Sequence, residues 1–268
     1  MVTHDSVKDA GLSPVFGSEA DIPEKPPLLL LHGWGMNHHV WTPVRAELEQ
    51  RFNVLTPDLP GHGQRAGETL GTLDQAVGSL LPLVPPACTV IGWSMGGMLA
   101  QRLASRYPER VRALILVGST PRFVKGDGWE YGLDPAALAG FAANLQTDQA
   151  AALKRFFALQ FMGIKTGLRE LNALRDQVLE YPASPEALAD GLDILRHGDL
   201  RHDKPSQPVL WLLGQLDRLI PVSLAQGLPM LGYPADRIRV MAHAAHVPFV
   251  THSADFLQQV FSFLDGQN

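Results

Sequence analysis

The chain reads as an α/β protein with a parallel sheet covered on both faces and a helical block set into it, and three observations predict that architecture. Short continuous apolar runs alternate with segments of helical spacing, the pattern of strands buried on both sides by crossover helices. The rhythm stops after Thr120, and up to about Leu200 only helical patterns appear. Strands then return, so the block is an insertion and not a tail.

Taken in order, "PPLLLLHGW" gives a first strand, "VWTPVRAELEQRF" a helix and "NVLTPDLPGHG" a second strand running into a turn. "TLDQAVGSLLPLV" is helical, "ACTVIGWS" a strand, "MLAQRLASRYP" a helix and "VRALILVGST" a strand. Inside the block, "DPAALAGFAANLQ" opens with Asp134 as N-cap and Pro135 at the first helical position; "SPEALADGLDILRHG" repeats the device with Ser184 and Pro185. "TDQAAALKRFFALQFMG" and "TGLRELNALRDQVLEYP" lie between them, making about four helices by spacing and caps. "QPVLWLLGQLD" and "DRIRVMAHAAH" supply the last strands. The expected division is a core of 1–120 and 201–268 with an inserted helical cap of 121–200. The first ~25 residues, rich in Gly, Pro and acidic side chains, read as a loose lead-in.

Composition bounds the function. At 268 residues and 46% hydrophobic, the chain can bury a large core as one domain with an insertion. A formal charge of -5 with both signs scattered gives neither an extended basic surface for nucleic acid nor an acidic tail. No apolar run approaches the ~20 residues that span a bilayer, and the start lacks the basic-then-apolar order of a secretory signal. A cytoplasmic monomer, free of membrane and nucleic acid, is the expectation. The single cysteine, Cys88, sits in an apolar strand and reads as a buried core thiol.

The chemistry begins at "VIGWSMGG", Val90 to Gly97. A nucleophile raised on a sharp strand-to-helix turn needs a strained backbone, with no side chain two residues before or after it. Gly92 and Gly96 meet that need around Ser94. The turn places Ser94 at a helix N-terminus and leaves the Met95 N–H as an oxyanion donor. A second donor belongs on a glycine-bearing loop after an earlier strand, and His32-Gly33-Trp34-Gly35 nominates the Trp34 N–H. "DLPGHG", Asp58 to Gly63, is a turn with a positioning role.

Serine needs a base, and the base needs an acid to hold its tautomer. His246 follows the last strand on a loop that returns over the sheet edge, flanked by His243 and His252. In chain order the acid falls between nucleophile and base. Asp217 directly follows a strand, whereas Asp203 and Asp236 precede theirs. Ser94, Asp217 and His246 are therefore the candidate catalytic set. No Cys/His cluster offers a metal site, and the chemistry calls for no cofactor.

With these residues in place the chain resembles the α/β-hydrolase superfamily over nearly its whole length. "LLLHGWGMN", "GWSMGG", "RFFALQFMG", "LGQLDRLIP" and "AAHVPF" resemble one branch of it, the carboxylesterases that demethylate pimeloyl chains carried on acyl carrier protein for biotin synthesis. The resemblance implies an α/β-hydrolase fold with a four-helix lid, an acyl-enzyme on Ser94, no cofactor, and acyl carrier protein as partner. It implies that Phe156 lines the acyl site beside Trp34, while the helical spacing of Phe157, Phe161 and Met162 places them in the core. It also implies a basic docking face for the acidic carrier, drawn from Lys154, Arg155, Lys165, Arg169 and Arg175. Glu170, Asp176 and Glu180 share those helices, so a merely solvated face is the competing reading. A general short-chain esterase or lactonase, and a binding protein that kept the fold without turnover, are the alternative functions.

Overall fold

A computed structural model describes residues 25–162 and 168–267. Six strands form one sheet: β1 (Pro27–Leu31), β2 (Asn53–Leu55), β3 (Cys88–Trp93), β4 (Val111–Val117), β5 (Val209–Gly214) and β6 (Ile238–Met241). The spatial order is β2-β1-β3-β4-β5-β6 and every neighbouring pair is parallel. The helices outside the insertion are α1 (Thr42–Glu49), α2 (Leu73–Leu80) and α3 (Met95–Arg106) before it. In the insertion lie α4 (Pro135–Thr147), α5 (Gln149–Gln160), α6 (Leu168–Glu180) and α7 (Pro185–His197). Two short turns of helix, α8 (Leu224–Gly227) and α9 (Pro248–Thr251), precede the last helix, α10 (Ser253–Asp265).

The apolar strands lack polar alternation because each face of the sheet has its own core. Leu28 and Leu30 bury against Val44 and Leu48 of α1 and Phe256, Val260 and Phe263 of α10. Leu29 and Leu31 point the other way, towards Val77 of α2 and Leu99 and Leu103 of α3. Successive residues of a strand face opposite sides, so a two-sided sheet needs an apolar residue at every position. Cys88 lies in this interior as expected, and burial pushes its thiol up to about 12.

The insertion starts with the predicted caps. The Asp134 side chain accepts from Ala136 N at 2.8 Å and Ser184 Oγ from Ala187 N at 3.1 Å, each satisfying a first-turn amide. Its two ends meet in an antiparallel bridge between Arg122 and Asp199, with Leu200 N donating to Pro121 O at 2.8 Å. Helix α7 is tied directly to the sheet layer. Trp34 Nε1 donates to Leu188 O at 2.9 Å, Gly71 N to Asp190 Oδ2 at 2.8 Å, and Ser184 N to Gly61 O at 2.8 Å. Asn37 Nδ2 tethers the end of α6 by donating to Val178 O at 3.0 Å and Tyr181 O at 3.2 Å.

One expectation for the cap is corrected. Phe157 and Phe161 are buried with ring centroids 5.0 Å apart, but Met162 is 51% exposed. Helix α5 ends at Gln160, so Met162 falls on the closing turn, its N–H on Leu159 O at 3.2 Å, out of phase with the buried stripe. Among the described residues no helix is long and apolar enough to cross a membrane.

Candidate active site

The candidate residues gather where the strands end. Trp34 follows β1, Ser94 follows β3, Asp217 follows β5 and His246 follows β6. Parallel strands point all these loops to one edge of the sheet, which is where an open α/β sheet places a site.

Ser94 sits at φ 55° and ψ -121°, outside the regions that L-residues favour. Such a conformation costs about 1–3 kcal/mol and persists only where the surroundings over-determine it. Here Ser94 N donates to Val117 O at 3.0 Å, while Ser94 O accepts from Gly97 N at 2.9 Å and from the buried Ser119 Oγ at 2.8 Å. A Cβ at Gly92 would stand 2.6 Å from Gly96 O, and one at Gly96 would strike the Leu31 and His32 carbonyl oxygens. Gly92 therefore lets the start of α3 fold back close to β3, and Gly96 lets it approach the end of β1. Ser94 occupies the N-cap position of α3 and makes no side-chain cap bond, so the hydroxyl is left for other use. Met95 is the first residue of α3, and its N–H is one of the donors that a helix leaves unsatisfied. The loop after β1 comes close: a Cβ at Gly33 would lie 3.2 Å from Ser94 Cβ.

His246 and Asp217 form a buried pair, Nδ1 to Oδ2 at 2.8 Å. The other carboxylate oxygen of Asp217 accepts from Leu219 N at 2.8 Å and Ile220 N at 2.9 Å, which fixes the rotamer. With Nδ1 donating to the carboxylate, Nε2 is the basic nitrogen. It is buried and has no hydrogen-bond partner among the described residues. The two loops are stitched together by Leu216 N on Ala244 O at 2.8 Å and His243 N on Gln215 Oε1 at 3.2 Å. His243 adopts φ 61° at the bend, and His252 stands at the N-cap position of α10, so neither stands where His246 does.

Trp34 is 1% exposed, with its ring edge-on to Phe141 and Phe156 at 5.2 and 5.0 Å. These aromatics, with Leu133, Leu138 and Leu159 of the insertion, line a cavity of about 190 Å³ that also touches Arg218 and Leu219. Phe156 thus lines an apolar cavity against Trp34. Lys154 and Arg155 are exposed on α5. Arg175 is engaged with the carboxylate of Asp176 at 2.9 Å. Lys165 and the side chain of Arg169 lie outside the described residues. Among the described residues no group of three or more His, Cys, Asp or Glu side chains is arranged to hold a metal ion.

Two contributions escaped the reading of the sequence. Trp93 donates its indole N–H to His246 O at 2.9 Å, and its ring lies 5.4 Å from the imidazole. The only signal was an aromatic residue immediately before the serine. Behind the Trp34 loop, His32 and His62 lie 5.2 Å apart. His32 Nε2 accepts from Leu59 N at 2.9 Å and His62 Nε2 from Gly35 N at 3.4 Å, while the Nδ1 atoms serve the Gly33 and Pro60 carbonyls. Both rings must be neutral to accept. Burial first, and each other's proximity for His32, lowers His32 to about 3 and His62 to about 4.

A family model described as alpha/beta hydrolase fold matches residues 26–253. Pimeloyl-[acyl-carrier protein] methyl ester esterases of Salmonella typhi and Salmonella enteritidis are 39% identical over 238 residues, spanning 88% of this chain and 92% of theirs. Among solved structures, a bromoperoxidase from Bacillus anthracis superposes with TM-score 0.80 at 24% identity, covering 90% of this chain and 92% of its own. An esterase from Exiguobacterium antarcticum superposes with TM-score 0.78 at 21% identity over the same shares. Those two likenesses show the fold alone.

Proposed function

The chain belongs to the α/β-hydrolase family, and on that premise we propose that it is a serine carboxylesterase that hydrolyses the methyl ester of a pimeloyl chain carried on acyl carrier protein. The observation that carries the reading is the buried Asp217–His246 pair, whose unpartnered Nε2 shares the sheet edge with an uncapped Ser94 hydroxyl on a strained turn. The 39% identity to esterases of that name supports the substrate.

In this reading Ser94 Oγ attacks the ester carbonyl as His246 Nε2 takes its proton, and Asp217 stabilises the imidazolium. The oxyanion settles on the Met95 and Trp34 N–H groups. Collapse breaks the bond to methoxide, which leaves as methanol with the proton from His246. Water then repeats the cycle on the acyl-serine and frees the carboxylate. Residues 121–200 act as a lid whose Phe156 roofs the acyl chain. Lys154 and Arg155, exposed and without an ion-pair partner among the described residues, are the described cations that meet the acidic carrier. Lys165 and the side chain of Arg169, the other cations expected to meet the carrier, lie outside the described residues.

The test is turnover of pimeloyl-carrier-protein methyl ester by the purified protein and by Ser94→Ala, beside labelling with a fluorophosphonate. Ser94-dependent demethylation with a single labelled serine is the expected result. An unlabelled Ser94 sinks the esterase reading; rapid hydrolysis of a free short-chain ester alone sinks the carrier substrate.

A further inference from the structure

The cavity beside Trp34 is apolar on every wall but one. Phe123, Leu133, Phe141, Phe156 and Leu192 are typical of its lining, and the single charged residue among the described residues that line it is Arg218. Several arginines hold carboxylates, Arg122 and Arg201 sharing Asp199 and Arg102 holding Asp203, while the exposed Arg155 holds none among the described residues. Arg218 has no hydrogen-bond or ion-pair partner among the described residues. Its backbone is fixed, because the amides of the next two residues are bound to Asp217 Oδ1. The turn that orients the acid of the proposed triad therefore also sets where this guanidinium starts.

An apolar cavity with one cation at its edge is complementary to an aliphatic chain that ends in an anion. A guanidinium matches a carboxylate in a planar, bidentate geometry, and because Arg218 is exposed at the cavity edge the pairing is open to screening by salt. At ~30 Å³ for each water-sized group, 190 Å³ takes about six such groups, a chain of medium length. We propose that Arg218 is a specificity-determining residue which receives the distal carboxylate of free half-esters of medium-chain dicarboxylic acids, making these a second substrate class. The inference rests on the esterase reading. Hydrolysis follows the same balance: water is consumed, the ester C–O bond breaks, and methanol, the dicarboxylate and one proton, passed from His246 to solvent, leave while Arg218 offsets one of the two product charges.

The experiment compares monomethyl heptanedioate with methyl heptanoate, equal in chain length but differing in the distal charge, for the wild type and Arg218→Gln. The wild type is expected to favour the half-ester about tenfold or more in kcat/KM, as a charge-assisted hydrogen bond allows. That ratio falls towards one in Arg218→Gln and, for the wild type, in high salt. Equal ratios in the two proteins, or a wild-type preference for the neutral ester, overturn the inference while leaving the esterase intact. If Arg218→Gln changes only turnover of the carrier-bound ester, the cation serves the carrier's phosphodiester, and the half-ester assignment is likewise overturned. Absence of turnover of every ester, with Ser94 unlabelled, fails the esterase reading and the inference with it.

Discussion

At the scale of the residue, the proposed chemistry hangs on single atoms. Asp217→Asn keeps the shape but turns a donor towards His246 Nδ1, forcing the other tautomer. Turnover is expected to fall on the order of 10³–10⁴-fold with KM little changed, read by steady-state kinetics. Trp93→Phe keeps the ring against the imidazole but removes the indole bond to the His246 carbonyl. We expect kcat to fall about tenfold at unchanged KM, because Trp93 does not line the acyl cavity; a change in KM alone would contradict that role. Ser94, Asp217 and His246 stand out in the sequence because each directly follows an apolar run. The Trp93 bond does not, since it joins residues 153 positions apart and depends on β3 and the β6 loop being brought to one edge.

At the scale of the element, the strands and the α4 and α7 starts were legible because the information is local: unbroken apolar runs, and Asp-Pro and Ser-Pro at the helix starts. The end of α5 was not, because nothing in "FALQFMG" stops a helix before Met162. How α7 seats on the core was equally hidden. It depends on Gly191, where a Cβ would stand 2.5 Å from Trp34 Cδ1. Gly191→Ala therefore raises helix propensity yet pushes the indole out of its cavity wall. Overpacking of this kind costs about 1–3 kcal/mol. The expected outcome is a fall of several-fold in kcat/KM with a drop of a few degrees in Tm, checked by kinetics and calorimetry on one preparation.

At the scale of the molecule, the neutral His32 and His62 make stability depend on pH. Both have folded values below the ~6.5 of an unfolded chain, so the unfolded state binds more protons in that interval. Their contribution is complete above about pH 6.5 and is lost as pH falls towards about 4 and 3. The urea midpoint is expected to drop between pH 7.5 and 5, and His62→Gln, which keeps an amide acceptor, is expected to flatten that slope. The sequence showed a histidine in each turn; that they face one another was set by the meeting of the β1 and β2 ends. The bond from Trp34 Nε1 to Leu188 O has a reach of the same kind. One residue supplies the proposed oxyanion amide and, through its ring nitrogen, a latch for the insertion, so occupancy of the one and closure of the other share a free energy and must influence each other equally. An inhibitor bonded covalently to Ser94 should then slow amide hydrogen exchange along Pro185–His197, at a distance from any atom it touches.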